Sequence, residues 1–195
     1  MKDAPSMPDF ALARRAMVDS QLRPQGVTDR AVLAAMASLP REDYVPVGAR
    51  ASAYGDRAIV VDGGAMLPPT PLALLLNAAA PKPGERALVV GSAPAYSAAL
   101  LSAIGLLVTQ AGAAAPVEPA GPFDLIVVEG AVSDLPAALV QSLAPGGRIV
   151  TGLIENGVTR LAVGREAGGA IVLTSFADSD IAPLAAFTRP AAFTF

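Results

Sequence analysis

Histidine and cysteine are both absent from this chain of 195 residues. Their absence removes the commonest general base, the commonest metal ligand and the thiolate nucleophile together. Zinc sites built on imidazole or thiolate are excluded, as are Ser-His-Asp triads, and no metal site is expected. Charge is sparse as well: Asp, Glu, Lys and Arg make up 16% of the residues and the formal net charge is −3. No run of Lys or Arg supplies the clustered cations that displace counterions from a phosphate backbone, so nucleic acid is not an expected partner. Long apolar runs are missing too. Hydrophobic residues reach 53% and mean hydropathy is +0.50, yet stretches such as 31–37 and 72–76 fall far short of the roughly 18 residues of a membrane span. No membrane partner is expected. The first residues, Met1-Lys2-Asp3-Ala4-Pro5-Ser6, carry no apolar segment behind the lysine, so the default expectation is a cytoplasmic protein.

What is present reads as one domain over 1–195, with a helical and loop extension over 1–70 and an α/β core over 71–195. Asp9 is placed to cap a helix through Phe10, Leu12, Ala13, Met17 and Leu22, which Pro24 ends. Thr28 is the expected cap of a second helix, whose apolar set Val32, Leu33, Ala35, Met36 and Leu39 recurs at helical spacing before Pro40. From Arg41 to Pro71 turn residues dominate. One strand is expected at 58–61, Gly63 and Gly64 read as a turn, and Asp56 and Asp62 read as backbone acceptors in a loop. A helix opens at Thr70 or Pro71 and runs through Ala79.

The centre of the chain is Arg86–Ala103, a short apolar run, a Gly turn and an Ala/Leu-rich helical pattern. That is a β-strand feeding a helix in an open α/β sheet, where ligands sit outside the carboxyl ends of the strands. Further strands are expected at 106–109, 123–128 and 147–152, with a helix at 136–143, which makes the sheet parallel. After it, 160–164 and 170–175 flank Arg165-Glu166-Ala167-Gly168-Gly169 as an antiparallel hairpin. Phe187, Phe193 and Phe195 are expected to pack on the sheet. The site candidates follow from the switch point: Gly91, Ser92 and Tyr96 on the first loop, and Glu129 at the tip of 123–128 as a group that orients a substrate or a cofactor amine. For Ser92, Tyr96 and Glu129 an ordinary structural role is the competing reading.

Arg14, Met17, Val18, Gln21-Leu22-Arg23, Gly26-Val27, Asp29, Val32-Leu33, Met36, Pro40-Arg41-Glu42 and Tyr44-Val45-Pro46 form a long signature. It continues through Ala53-Tyr54-Gly55-Asp56, Met66-Leu67-Pro68-Pro69, Gly91, Tyr96, Pro122-Phe123-Asp124, Pro136, Leu139 and Leu143-Ala144-Pro145-Gly146-Gly147-Arg148. These residues resemble the protein-L-isoaspartate O-methyltransferase family. The resemblance implies an open, mostly parallel, methyltransferase-like (Rossmann-like) α/β sheet with N-terminal helices lining a peptide cleft. It also implies S-adenosylmethionine as cofactor, peptide or protein substrates, and methyl transfer to isoaspartyl carboxylates in protein repair.

Against the family's pattern, Gly91-Ser92-Ala93-Pro94-Ala95-Tyr96 stands where a Gly-Thr-Gly-Ser-Gly-Tyr-like cofactor loop is expected. Gln110, Ala111 and Gly112 follow Thr109 where the family carries an acid for the cofactor ribose, and Leu67 takes the place of a substrate-loop serine. Thr109 to Pro122 spans fourteen residues, three of them proline, while a crossover with its helix needs about 10–12. One crossover helix and one strand are therefore expected to be missing. The departures point to weak or lost catalysis in a binding or structural descendant; the alternative is an active methyltransferase with a remodelled cofactor site. They also make Leu106–Thr109 an apolar edge strand beside an uncovered sheet face, a surface for a homodimer or a hetero-partner, unless Ala111–Pro119 folds back over it.

Overall fold

A computed structural model describes residues 9–61, 64–113, 121–168 and 170–187. Asp9 accepts the Leu12 N–H at 3.0 Å and opens helix α1 (Phe10–Met17), which continues as a π-helical turn over Val18–Leu22. Helix α2 (Arg30–Ser38) starts one residue later than Thr28 predicts: Asp29 Oδ1 accepts the Ala31 and Val32 N–H groups at 2.8 and 3.0 Å. The reason is tertiary, because Asn77 Oδ1 holds the N–H groups of Thr28 and Asp29 at 2.8 and 2.9 Å. The chain therefore enters the helix already pinned, and Asp29 is the residue left to cap it.

After two 3₁₀ turns at Arg41–Tyr44 and Val47–Ser52, strand β1 (Ile59–Val61) pairs antiparallel with β2 (Gly64–Met66). The expected turn at Gly64 is thus strand. Sequence gave little sign of it, because Gly and Ala have low strand propensity and the partner strand, not the residue type, makes the pairing. Asp62 and Gly63 lie outside the described residues. Asp56 accepts the Thr70 N–H at 2.9 Å in the first turn of helix α3 (Pro69–Ala79), so its role as a backbone acceptor reaches across 14 residues.

The core follows as β3 (Arg86–Gly91), α4 (Ala95–Ile104), β4 (Leu107–Gly112), β5 (Phe123–Val132), α5 (Ala137–Gln141), β6 (Leu143–Glu155), β7 (Val158–Ala167) and β8 (Ala170–Asp178). Strand order is β4-β3-β5-β6-β7-β8, parallel from β4 to β6 and antiparallel beyond, as the hairpin reading expects. The chain goes from β3 outward to β4 and then returns to β5 on the other side of β3. This reversal is the switch point at which open sheets part to leave a crevice.

Alternation along the central strands sends residues to two cores. Val89, Leu125, Val127 and Val150 face α1 to α4, whereas Leu88, Val90, Ile126, Val128 and Ile149 face Leu139 of α5 and Leu184. β4 is an edge strand, as expected. The uncovered face is not found at β3, where Leu88 and Val90 are 1% and 0% exposed. The exposed apolar edge is also narrower than the sequence suggests: Leu106 is buried, Val108 packs against the first core, and Leu107 is the large apolar residue left open, at 66%. Residues 114–120 lie outside the described residues, and most of the expected fold-back falls there. Phe187 packs against the second core; Phe193 and Phe195 lie outside the described residues.

One buried cation ties the layers together. Arg148 of β6 donates to the carbonyls of Ala79, Ala80 and Asp124 and to both carboxylate oxygens of Glu85, at 3.0 and 2.7 Å for the latter. Burial acts to raise the Glu85 pKa, but the paired Arg148 guanidinium holds the carboxyl below its ordinary value. Replacing Arg148 by Ala strands these acceptors at the C-terminus of α3. Urea denaturation is expected to show a loss on the order of 3–5 kcal/mol, and Arg148→Lys, which lacks the bidentate fork, is expected to recover only part of it.

Candidate cofactor and substrate site

The carboxyl edge of the sheet brings three residues into register: Gly91 pairs with Gly112 on one side and with Glu129 on the other. A cavity of about 590 Å³ opens there, lined by Gly91, Ser92, Gly112, Ala113 and the segment Pro183–Ala186. That segment is held across the end of β5. Ala131 donates to the Ala182 carbonyl and accepts from the Leu184 N–H, both at 2.9 Å, and Leu184 seats against Gly130, where a Cβ would meet it at 2.3 Å. Sequence reasoning missed this strap, since nothing in Ile181–Ala186 signals pairing with β5. Within it, Pro183 forms an isolated parallel bridge with Ala131.

Glu129 is not a surface carboxylate at a strand tip. β5 runs on to Val132, and Glu129 is 3% exposed. Ser97 of α4 donates to its Oε1, while Oε2 is buried with no hydrogen-bond partner. Gly91 makes room for it: a Cβ at Gly91 would lie 2.7 Å from Oε2 and 2.8 Å from the Glu129 Cβ. Burial pushes the Glu129 carboxyl up to about 7, opposed by the Ser97 hydrogen bond and by the nearby charge of Arg41.

Arg41, in the turn after α2, is wholly buried. It donates from Nε to the Ala53 carbonyl at 2.8 Å and from Nη2 to the Leu67 carbonyl at 2.5 Å, and its guanidinium lies 4.9 Å from the centre of the Tyr96 ring. Burial lowers its pKa, with the Tyr96 and Glu129 oxygens acting in opposition. Tyr96 is buried and also meets the Tyr44 ring edge-on at 5.2 Å. Tyr96 therefore serves as a packed ring. Ser92 is half-buried with its side chain against Gly64, so it joins the loop to the β1–β2 hairpin. Of the four candidates, Gly91, Ser92 and Glu129 meet at the switch point and Tyr96 packs behind it.

A second buried network lies further out. Arg14 donates to Tyr54 Oη at 2.7 Å and to Glu42 Oε1 at 2.9 Å, and Tyr54 donates to Glu42 Oε2. Burial and the Glu42 carboxylate push the Tyr54 phenol up to about 12. This network ties α1 to the lead-in, and none of its three residues lines the 590 Å³ cavity. Among the described residues no group of three or more metal-binding side chains occurs, and no helix is long and apolar enough to cross a membrane.

The family model for protein-L-isoaspartate(D-aspartate) O-methyltransferase matches residues 13–118 and 105–185. The chain belongs to this family. A protein-L-isoaspartate O-methyltransferase from Koribacter versatilis is 32% identical, covering 94% of this chain and 96% of its own; one from Methylorubrum extorquens is 36% identical over 74% and 75%. The first alignment spans 213 positions, more than the 195 residues present, so that relative carries residues this chain lacks. In fold, the chain is similar to a protein-L-isoaspartate O-methyltransferase structure from Plasmodium falciparum in complex with S-adenosyl-L-homocysteine. The TM-score is 0.73 at 20% identity, covering 88% of this chain and 97% of that one.

The family protein's stability should report on Glu129. A carboxyl raised in the folded state keeps its proton where the unfolded chain has lost it, so its contribution is full below the unfolded value and falls as pH rises towards about 7. Urea midpoints at pH 4.5, 6 and 8 are expected to fall with pH relative to those of Glu129→Gln, in which this component of the slope disappears. Parallel curves for the two proteins would show that Glu129 is ionised throughout.

Proposed function

We propose that this member of the protein-L-isoaspartate O-methyltransferase family has weak or lost methyl transfer and persists as a binding protein for peptide or protein partners. The observation that carries the reading is the wall of the 590 Å³ cavity. Its described lining residues include no charged side chain, and Gly112 and Ala113 stand at the tip of β4, where a carboxylate would have to hold ribose hydroxyls. Among the described residues, the acid in register with Gly91 is Glu129, which is turned into the Arg41 and Ser97 side of the sheet and occupies the space that Gly91 leaves. Ala93 and Pro94 add side chains to the loop, and Pro94 also removes a backbone donor. The described donors do not fit the ribose of S-adenosylmethionine, the cofactor that the family implies.

A second reading, an active S-adenosylmethionine-dependent enzyme repairing isoaspartyl residues, is favoured by the cavity itself, which stays open at the switch point beside Gly91. Calorimetry separates the two. The first reading expects no saturable binding of S-adenosylmethionine at micromolar concentration; a dissociation constant near 10 µM, or about −7 kcal/mol, would establish the second.

Methyl transfer depends on positioning, so the same reading expects rates on an isoaspartyl peptide several orders of magnitude below those of an intact site. Methyl ester formation should not exceed the blank. Converting Ala93 and Ala95 to Gly should leave it there, because the ribose contact is still missing. Recovery by that double change would locate the defect in the loop alone. As a partner surface, the β4 edge contributes chiefly Leu107.

A further inference from the structure

Ser92, Pro183 and Leu184 form a partition, since they line the 590 Å³ cavity on one side and a smaller one on the other. The smaller cavity, about 230 Å³, lies between the β1–β2 hairpin and the strap, with Met66, Leu67 and Pro68 in its wall and Glu129 and Asp180 as its acids. We propose that it binds a primary ammonium group on a short alkyl chain, with Glu129 as the anion that receives it.

Four observations converge. Glu129 Oε2 is buried without a partner while Oε1 is held by Ser97, so the carboxyl is oriented with one acceptor free. An acceptor left this way costs about 1–3 kcal/mol, more for a charged group, and a donor entering the cavity recovers it. The lining residues carry two acids, Asp180 being exposed, and no Lys or Arg, so the wall favours a cation and opposes an anion. Arg41 acts on Glu129 through its charge without a hydrogen bond between them: its Nε and Nη2 donate to the Ala53 and Leu67 carbonyls, and its Nη1 is buried without a hydrogen-bond partner. The rest of the wall is apolar and suits methylene groups. Size excludes more, because drug-sized ligands occupy roughly 300–1,000 Å³. A nucleoside is too large and a butyl chain is not.

The inference goes beyond the reading of the larger cavity and does not depend on whether that cavity accepts S-adenosylmethionine. The ammonium can come from a free amine or from a lysine side chain of a protein. The probe is n-butylammonium chloride, added at pH 8 to the full chain and followed by calorimetry and by the Met66 methyl resonance, with n-butanol as the uncharged control. Saturable binding is expected, at least about tenfold tighter than butanol and about tenfold weaker in Glu129→Gln. A Gly-Lys-Gly amide that binds more tightly than butylammonium identifies a protein lysine as the source, and one that binds more weakly identifies a free amine. No saturation by about 50 mM, equal binding of butanol, or unchanged binding in Glu129→Gln would overturn the proposal. If that variant does not fold, the exposed Asp180→Asn serves instead: weaker binding of butylammonium with butanol unaffected supports the site, and no change in either overturns it.

Discussion

The close approach of Glu129 to Gly91 governs the functional end of this molecule. Parallel pairing puts the two residues side by side at the carboxyl edge of the sheet, and only a residue without a Cβ leaves space for the acid's side chain. Because the acid is turned into the protein, it needs partners there. Ser97 from the first turn of α4 supplies one, and Arg41 supplies a compensating charge from a turn more than 80 residues earlier in the chain. The glycine that would ordinarily bring backbone close to a ligand is thus used to admit a side chain. Among the described residues, the wall of the larger cavity carries no acid.

Two buried arginines perform the corresponding work on the scaffold. Arg41 donates from Nε and Nη2 to the Ala53 and Leu67 carbonyls, which lie on either side of the β1–β2 hairpin, so the lead-in is closed around a charge as well as around the apolar residues Val45, Ile59 and Met66 of the first core. Arg148 does the same for the end of α3 and the start of β3. Both positions are expensive to disturb, because removing a buried cation orphans several acceptors at once. The N-terminal extension, packed through Met17, Leu22, Val32 and Met36 on the first core, forms one side of the site.

The strap at Ile181–Phe187 divides the space that remains. Leu184 fits where Gly130 lacks a Cβ, and hydrogen bonds to Ala131 keep the segment across the strand end. Two cavities of different character result. One is apolar and larger, and the other is small and acidic, with Ser92 between them. The fold alone does not fix what chemistry is done in either of them; the residues lining each do.

The sequence by itself determined the order of the elements, the parallel core with its C-terminal hairpin, the family, and the exclusion of imidazole and thiolate chemistry. The elements and the exclusions rest on periodicity, turn residues and composition, which are local properties of the chain, and the family rests on the resemblance of its signature residues. It also marked Gly91, Ser92, Tyr96 and Glu129 as candidates, because strand tips and loops can be placed from the pattern. Only the tertiary structure decided what they are: Glu129 buried with one oxygen free, Tyr96 a packed ring, Ser92 a partition, Asp29 rather than Thr28 the cap. Each of these depends on a partner far along the chain: Gly91 and Arg41 for Glu129, Tyr44 for Tyr96, Gly64 for Ser92, Asn77 for the start of α2. Burial and hydrogen bonding are set by whichever residues the fold brings together, and a carboxyl's charge state follows its surroundings rather than its position in the sequence.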